Sequence, residues 1–236
     1  MDLLLLSNSK TADGRYLPHA VEPLGAVLNG RRRAAFIPFA GVTVAWDEYL
    51  AKVRAALAPL DLDITSVHTT ADPVATVKSS DIILVGGGNT FQLLKLCREK
   101  GLLDAIRQQA HEGAVYMGWS AGANLACPTV CTTNDMPIVD PHGFDALNLV
   151  SFQINPHFTD ELPAGHQGET RSQRIAEFLV AHPQACVVGL PEGDWLHVSR
   201  DRVLLCGPHP ATVFCAGRKP EPRASGTVIQ AQGMSS

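Results

Sequence analysis

No stretch of this sequence approaches the roughly 20 consecutive apolar residues that a membrane helix needs. Its N-terminal apolar run, Leu3-Leu4-Leu5-Leu6, is short and lacks a basic lead, so residues 1–7 read as a first buried strand rather than an export signal. Excess positive charge is also missing. Nineteen Lys and Arg against 23 Asp and Glu give a net charge of −4, with nine His counted neutral. A nucleic-acid partner would favour a basic chain, and Arg31-Arg32-Arg33 is too short a run to reverse that inference; it reads as the solvated start of a strand. Neither a membrane nor a nucleic acid is therefore an expected partner. The six cysteines have no CxxC spacing, and Cys127 and Cys131 have no second pair at ligand spacing, so neither a metal site nor disulfides are expected. Free thiols and a cytoplasmic location follow as expectations.

Two phosphate-binding patterns are absent as well. Gly86-Gly87-Gly88-Asn89-Thr90 has no following Gly-Lys-Ser/Thr, and Phe91 stands where a G-x-G-x-x-G motif would place its last glycine. Repeats and interdomain linkers are also lacking. With 45% apolar and 18% charged residues, the 236-residue chain is ordinary globular material with enough length for a substantial core. One α/β domain is expected over residues 1–216. The Pro-, Gly-, Ser- and Gln-rich stretch 217–236 is expected to be a flexible tail.

What is present is alternation. Strands are expected at 2–6, 33–39, 62–68, 81–85, 114–118 and 185–190. Helical patterns lie near 19–29, 46–58, 72–79, 90–112, 121–126 and 170–181. The strands are continuously apolar, as they are when helices cover both faces of a parallel sheet. Strand–helix alternation with right-handed crossovers then gives a three-layer, mostly parallel α/β fold. Asn29-Gly30, Lys100-Gly101 and Glu112-Gly113 punctuate the helix ends. From about residue 192 the runs shorten, which predicts an antiparallel edge.

Reactive groups of such folds gather where strands end and helices begin. Gly118-Trp119-Ser120-Ala121-Gly122 stands at such a junction, with a strand before it and a helix start after it. A sharp turn there requires small flanking residues and exposes the central hydroxyl above a helix N-terminus. Ser120 is therefore the candidate nucleophile. Its base is expected at His157 in Asn155-Pro156-His157-Phe158, where proline fixes the approach. His68, His111, His182 and His209 read as structural or solvated, and His142 and His166 lie in loops that can approach a site. The acid that orients the base is either Asp135 or Glu192, the first in a polar loop after the nucleophile helix, the second at a strand end. The unused carboxylate is suited to a substrate ammonium. An oxyanion hole is expected from the N–H of Ala121 and from the Gly86–Gly88 loop, with Gly88 and Asn89 lining the substrate.

Longer segments carry a resemblance. FIPFAGVT at 36–43, VGGGNTFQLLK at 85–95, GWSAGANLACPT at 118–129, TTNDMPIVDPHGFDAL at 132–147, QINPHFT at 153–159 and GLPEGDW at 189–195 resemble the peptidase E, or aspartyl dipeptidase, family of serine peptidases. The resemblance implies a fold like class I glutamine amidotransferases (flavodoxin-like), small dipeptide substrates with N-terminal aspartate, and a Ser-His-acid mechanism without a cofactor. It carries Ser120 and His157 over as catalytic residues, with Asp135 or Glu192 as the acid. An aspartyl substrate also offers a side-chain carboxylate, and Arg171, at a helix start where the dipole disfavours a cation, is the expected guanidinium. A homodimer is compatible with the chain. The competing readings are an esterase or amidase, or a β-aspartyl peptidase, on the same fold, and a non-catalytic binding module in which Ser120 merely shapes a turn.

Overall fold

Successive side chains of a strand point to opposite faces, so a strand that is apolar throughout needs cover on both. The first strand, β1 (Asp2–Leu6), meets that need: Leu3 and Leu5 join one core, Leu4 and Leu6 the other. The computed structural model describes residues 1–229 except His166 and Asp201. His166, one of the loop histidines singled out above, lies outside the described residues. In chain order β1 is followed by α1 (Pro18–Val27), β2 (Arg33–Ile37), α2 (Trp46–Leu57), β3 (Asp63–Ser66), α3 (Pro73–Lys78) and β4 (Ile82–Val85). Then come α4 (Thr90–Glu99), α5 (Leu102–His111), β5 (Val115–Trp119) and α6 (Ala121–Leu125).

These strands form a parallel set in the order β1-β5-β4-β2-β3. One face is packed by α1 and α2 through Leu24, Leu50 and Val53. The other is packed by α3 to α6, with Leu94, Ile106 and Leu125 among the buried contacts. Three layers result, as the alternation predicts. Cutting a fully buried residue such as Leu5 to alanine costs about 2–5 kcal/mol. The long pattern at 90–112 divides at Gly101, whose φ of 66° stops α4 before α5 begins.

Beyond α6 lie β6 (Gln153–Pro156), α7 (Arg171–Ala181), β7 (Cys186–Leu190), β8 (Trp195–Ser199), β9 (Arg202–Cys206) and β10 (Ala211–Cys215). β8 runs antiparallel to β1 and β9 antiparallel to β8, forming the expected antiparallel edge. Burial on β8 falls on alternate residues, Leu196 and Val198, the pattern of a strand covered on one face only. β6 and β7 are parallel to each other but leave the main sheet. With β10 they build a second, smaller sheet against α7, centred on Ile175, Leu179, Val187 and Phe214. No helix among the described residues is long and apolar enough to cross a membrane.

Two expectations need correction. The tail is not structureless from residue 217: β11 (Glu221–Arg223) pairs with β10 and β12 (Val228–Ile229) pairs with β9. Composition misses this because the gain comes from capping open strand edges with backbone hydrogen bonds, which polar residues supply as well as apolar ones. Nor are all six cysteines free. Cys186 and Cys215 are opposed across β7 and β10 with Cα atoms 4.4 Å apart and form a disulfide, a pairing set by tertiary register across 29 residues. Cys97, Cys127, Cys131 and Cys206 are free thiols.

Candidate active site

The turn at Ser120 is tight because two backbones meet there. Gly122 lies against the backbone of Val85, so closely that a Cβ would collide with the Val85 carbonyl, and the Tyr116 hydroxyl donates to the Gly122 carbonyl at 2.6 Å. Ser120 itself has φ 53° and ψ −111°, a conformation that costs a residue with a Cβ on the order of 1–3 kcal/mol. Its N–H donates to the Leu6 carbonyl at 2.9 Å, which ties the turn to the end of β1. The strained serine is thus fixed at the carboxyl edge of the sheet, above the first turn of α6. The Ala121 N–H, one residue on, has no acceptor within that helix.

His157 follows β6 directly, and its φ of 54° turns the ring back over the sheet edge. Its Nε2 is 3.0 Å from Ser120 Oγ and its Nδ1 is 2.6 Å from Glu192 Oε1. These three groups form one line of hydrogen bonds. With the Nδ1 proton donated to the carboxylate, Nε2 is left free to accept from the serine hydroxyl. The His157 and Glu192 side chains are 38% and 64% exposed, so water screens their attraction and geometry rather than charge burial defines the pair.

Asp135 is elsewhere. Its Oδ2 accepts from the Thr90 N–H at 2.8 Å, from the Thr90 hydroxyl at 2.5 Å and from the Thr133 hydroxyl at 3.1 Å. Its Oδ1 has no protein donor among the described residues. Of the two carboxylates left open by the sequence, Glu192 is brought to the histidine and Asp135 to the N-terminus of α4. Both line the same cavity, of about 1310 Å³, together with Ser120 and His157.

Gly88 and Asn89 also line this cavity. Gly88 adopts φ 140° and packs against Ala40 so tightly that a Cβ would strike the Ala40 carbonyl. Its N–H has no acceptor among the described residues. The Asn89 side chain is occupied, its Oδ1 capping α4 at the Gln92 N–H (3.0 Å) and its Nδ2 donating to the Met136 carbonyl (2.8 Å). Its position on the wall is thereby fixed, but its amide is engaged. Arg171 opens α7 and is not on the cavity wall. It has no acceptor among the described residues, and burial, reinforced by Arg174, pulls its pKa down. The cations that do line the wall are Lys10 and Lys52, with the His209 ring nearby. His209 thus belongs to the cavity rather than to a solvated turn, whereas His142 pairs with exposed Asp140 outside it. No three His, Cys, Asp or Glu side chains among the described residues cluster as metal ligands.

The residues that hold these groups in place carry no reactive-group motif of their own. Ser7, fully buried, accepts from the His157 N–H at 2.7 Å and donates to the Leu190 carbonyl at 2.8 Å. Asn8 accepts from the Gly193 N–H at 2.8 Å, anchoring the turn that carries Glu192. The available signal was a pair of polar residues directly after a wholly apolar strand at a sheet edge.

The model of peptidase family S51 matches residues 3–206. Proteins named peptidase E from Escherichia coli O1:K1, E. coli K12 strain DH10B and Shigella boydii serotype 18 are each 58% identical over 226 residues, covering 96% of this chain and 99% of theirs. Among solved structures, a Listeria monocytogenes EGD-e protein assigned as a peptidase E superposes with a TM-score of 0.65 at 24% identity, covering 88% of this chain and 98% of that one. A peptidase from an acI-B1 actinobacterium gives 0.70 at 16% identity, with 97% and 96% covered. At those identities the two structures speak to the fold alone.

Proposed function

The chain belongs to peptidase family S51 and is a serine-type dipeptidase, and from that premise we propose that it hydrolyses Asp-X dipeptides through an acyl-enzyme on Ser120. The observation that carries this reading is the unbroken line Ser120 Oγ, His157 Nε2, His157 Nδ1, Glu192 Oε1, at 3.0 and 2.6 Å. His157 takes the Ser120 proton as Oγ bonds to the carbonyl carbon of the aspartyl residue. Charge then develops on the former carbonyl oxygen, where the Ala121 and Gly88 N–H groups are suited to meet it. The imidazolium, steadied by Glu192, gives its proton to the amine of the departing residue as the C–N bond breaks. Water then repeats the sequence: His157 removes its proton, and Ser120 leaves with that proton as free aspartate is released.

Asp135 is assigned to the substrate's ammonium. Three donors hold its Oδ2, its Oδ1 has no protein donor among the described residues, and Asp135 lines the cavity. Arg171 is the proposed grip for the aspartyl carboxylate: it lies off the cavity wall, but its neighbour Ser172 donates to Asp160 at 2.9 Å, three residues after His157, so α7 begins beside the catalytic loop, and the guanidinium has no acceptor among the described residues. Four free thiols favour a cytoplasmic setting, while the Cys186–Cys215 disulfide weighs against it. The experiment that tests the substrate assignment compares Asp-Leu, Glu-Leu and β-Asp-Leu. Preference for Asp-Leu by about tenfold or more is the expected result; equal rates would overturn aspartyl specificity.

A further inference from the structure

Gly87 lies against the Cβ of Ser120 and the carbonyl of Trp119, so the oxyanion loop and the nucleophile turn are in direct contact. Besides the pairing of β4 with β5, one hydroxyl bridges them. Tyr49, on α2 and buried, donates to the Gly87 carbonyl at 2.9 Å, while its oxygen receives the Trp119 indole N–H at 3.1 Å and the Tyr16 hydroxyl at 3.3 Å. One donor and two acceptor positions exhaust a phenol's capacity. The group has a single preferred arrangement, and burial raises its pKa, so it remains a neutral donor.

The Gly87–Gly88 peptide is trans and planar, so its C=O and N–H point in opposite directions. A carbonyl held toward Tyr49 therefore fixes the direction of the Gly88 N–H on its opposite side, and Gly88 lines the same cavity as Ser120. We propose that Tyr49 is a positioning residue for catalysis: by clamping the Gly87 carbonyl it aims the Gly88 N–H at the developing oxyanion, and through the Trp119 indole it sets that donor in register with Ser120. The proposal rests on the acyl-transfer reading above. Tyr49 lies outside every motif that marked the site in the sequence.

An oxyanion donor acts in the transition state, so misaiming it lowers kcat and spares KM. Tyr49→Phe keeps the ring and removes the clamp. The expected result is a fall in kcat of about 10- to 100-fold with KM within about twofold and an unshifted pH profile. A second measurement uses an aspartyl aldehyde, which forms a tetrahedral hemiacetal on the serine, alongside an unreactive aspartyl amide analogue as a ground-state ligand. The variant should lose affinity for the aldehyde in proportion to kcat/KM and keep its affinity for the analogue. Equal losses on both ligands, or wild-type kcat, would overturn the clamp. Wild-type enzyme that binds the aldehyde no better than the analogue would overturn the acyl-transfer reading, and the clamp with it. Trp119→Phe, which removes the indole donor to the same hydroxyl together with part of a fully buried ring, serves if Tyr49→Phe does not fold. It should lower kcat several-fold at constant KM, and no change there would overturn the proposal.

Discussion

The Ser7 hydroxyl accepts a 2.7 Å hydrogen bond from the backbone N–H of His157, across 150 residues of chain. The same oxygen donates to Leu190, two residues before Glu192. One buried hydroxyl at the end of β1 therefore fixes both the segment bearing the base and the turn bearing its acid.

Ser7→Ala should accordingly harm stability and turnover together. It strands the His157 N–H, at about 1–3 kcal/mol, and takes one of two donors from the Leu190 carbonyl, which keeps the Phe158 N–H at 3.0 Å. Thermal melting should show a fall of several degrees. Dipeptide hydrolysis should show kcat falling at least about tenfold, since His157 loses its anchor to β1. Unchanged kcat would mean that β6 alone orients the histidine.

The two carboxylates should separate kinetically. Glu192→Gln removes the charge that steadies the imidazolium and should lower kcat by at least about 100-fold. Asp135→Asn should mainly raise KM, by about tenfold, which corresponds to about 1.4 kcal/mol of binding. The reverse pattern in steady-state kinetics would exchange their roles.

Recognition of the substrate's side chain is tested at Arg171. Arg171→Met should raise KM for Asp-Leu and narrow the preference over a neutral dipeptide such as Ala-Leu, because a bidentate guanidinium–carboxylate pair is lost. Lys52→Met, at a cation on the cavity wall, should leave that ratio unchanged. If the two variants behave in the opposite way, Lys52 takes the carboxylate.

Asp194 gives the fold a pH dependence. Its side chain is fully buried, with Oδ1 accepting the His209 N–H at 3.1 Å and Oδ2 unpartnered, and burial raises its pKa from 3.8 to about 6. The folded state thus binds its proton more tightly than the unfolded chain. This group's contribution to stability is full below pH 3.8 and is lost as pH rises through about 6, by up to roughly 3 kcal/mol. Asp194→Asn should flatten the urea midpoint between pH 4 and 7; an unaltered slope would contradict the assignment.

Much of this was legible in the sequence, for local reasons. β1, β4 and β5 are uninterrupted apolar runs, and Gly101 marks its helix break by its lack of a side chain. Ser120 stood out because the residues that force its strain, Gly118 and Gly122, are its sequence neighbours. His157 followed from a proline beside it. The choice between Asp135 and Glu192 was not legible, because both emerge in polar turns and only the packing of β6 beside β7 decides which meets the histidine. Tyr49 is 70 residues from the indole it accepts from, and Cys186 meets Cys215 only through strand register. Arg171 stood out because a cation in a helix's first turn reveals its misplacement locally, whereas the ligand it faces depends on where α7 begins relative to the cavity.

The central claim is that Ser120 is the nucleophile, and Ser120→Ala tests it most directly in an Asp-Leu hydrolysis assay run beside a thermal melt. Turnover lower by at least about 10³-fold with an essentially unchanged melting temperature is the predicted result, since alanine keeps the Cβ and with it the backbone strain of the turn. Asp-Leu hydrolysis at the wild-type rate by the alanine variant would contradict it.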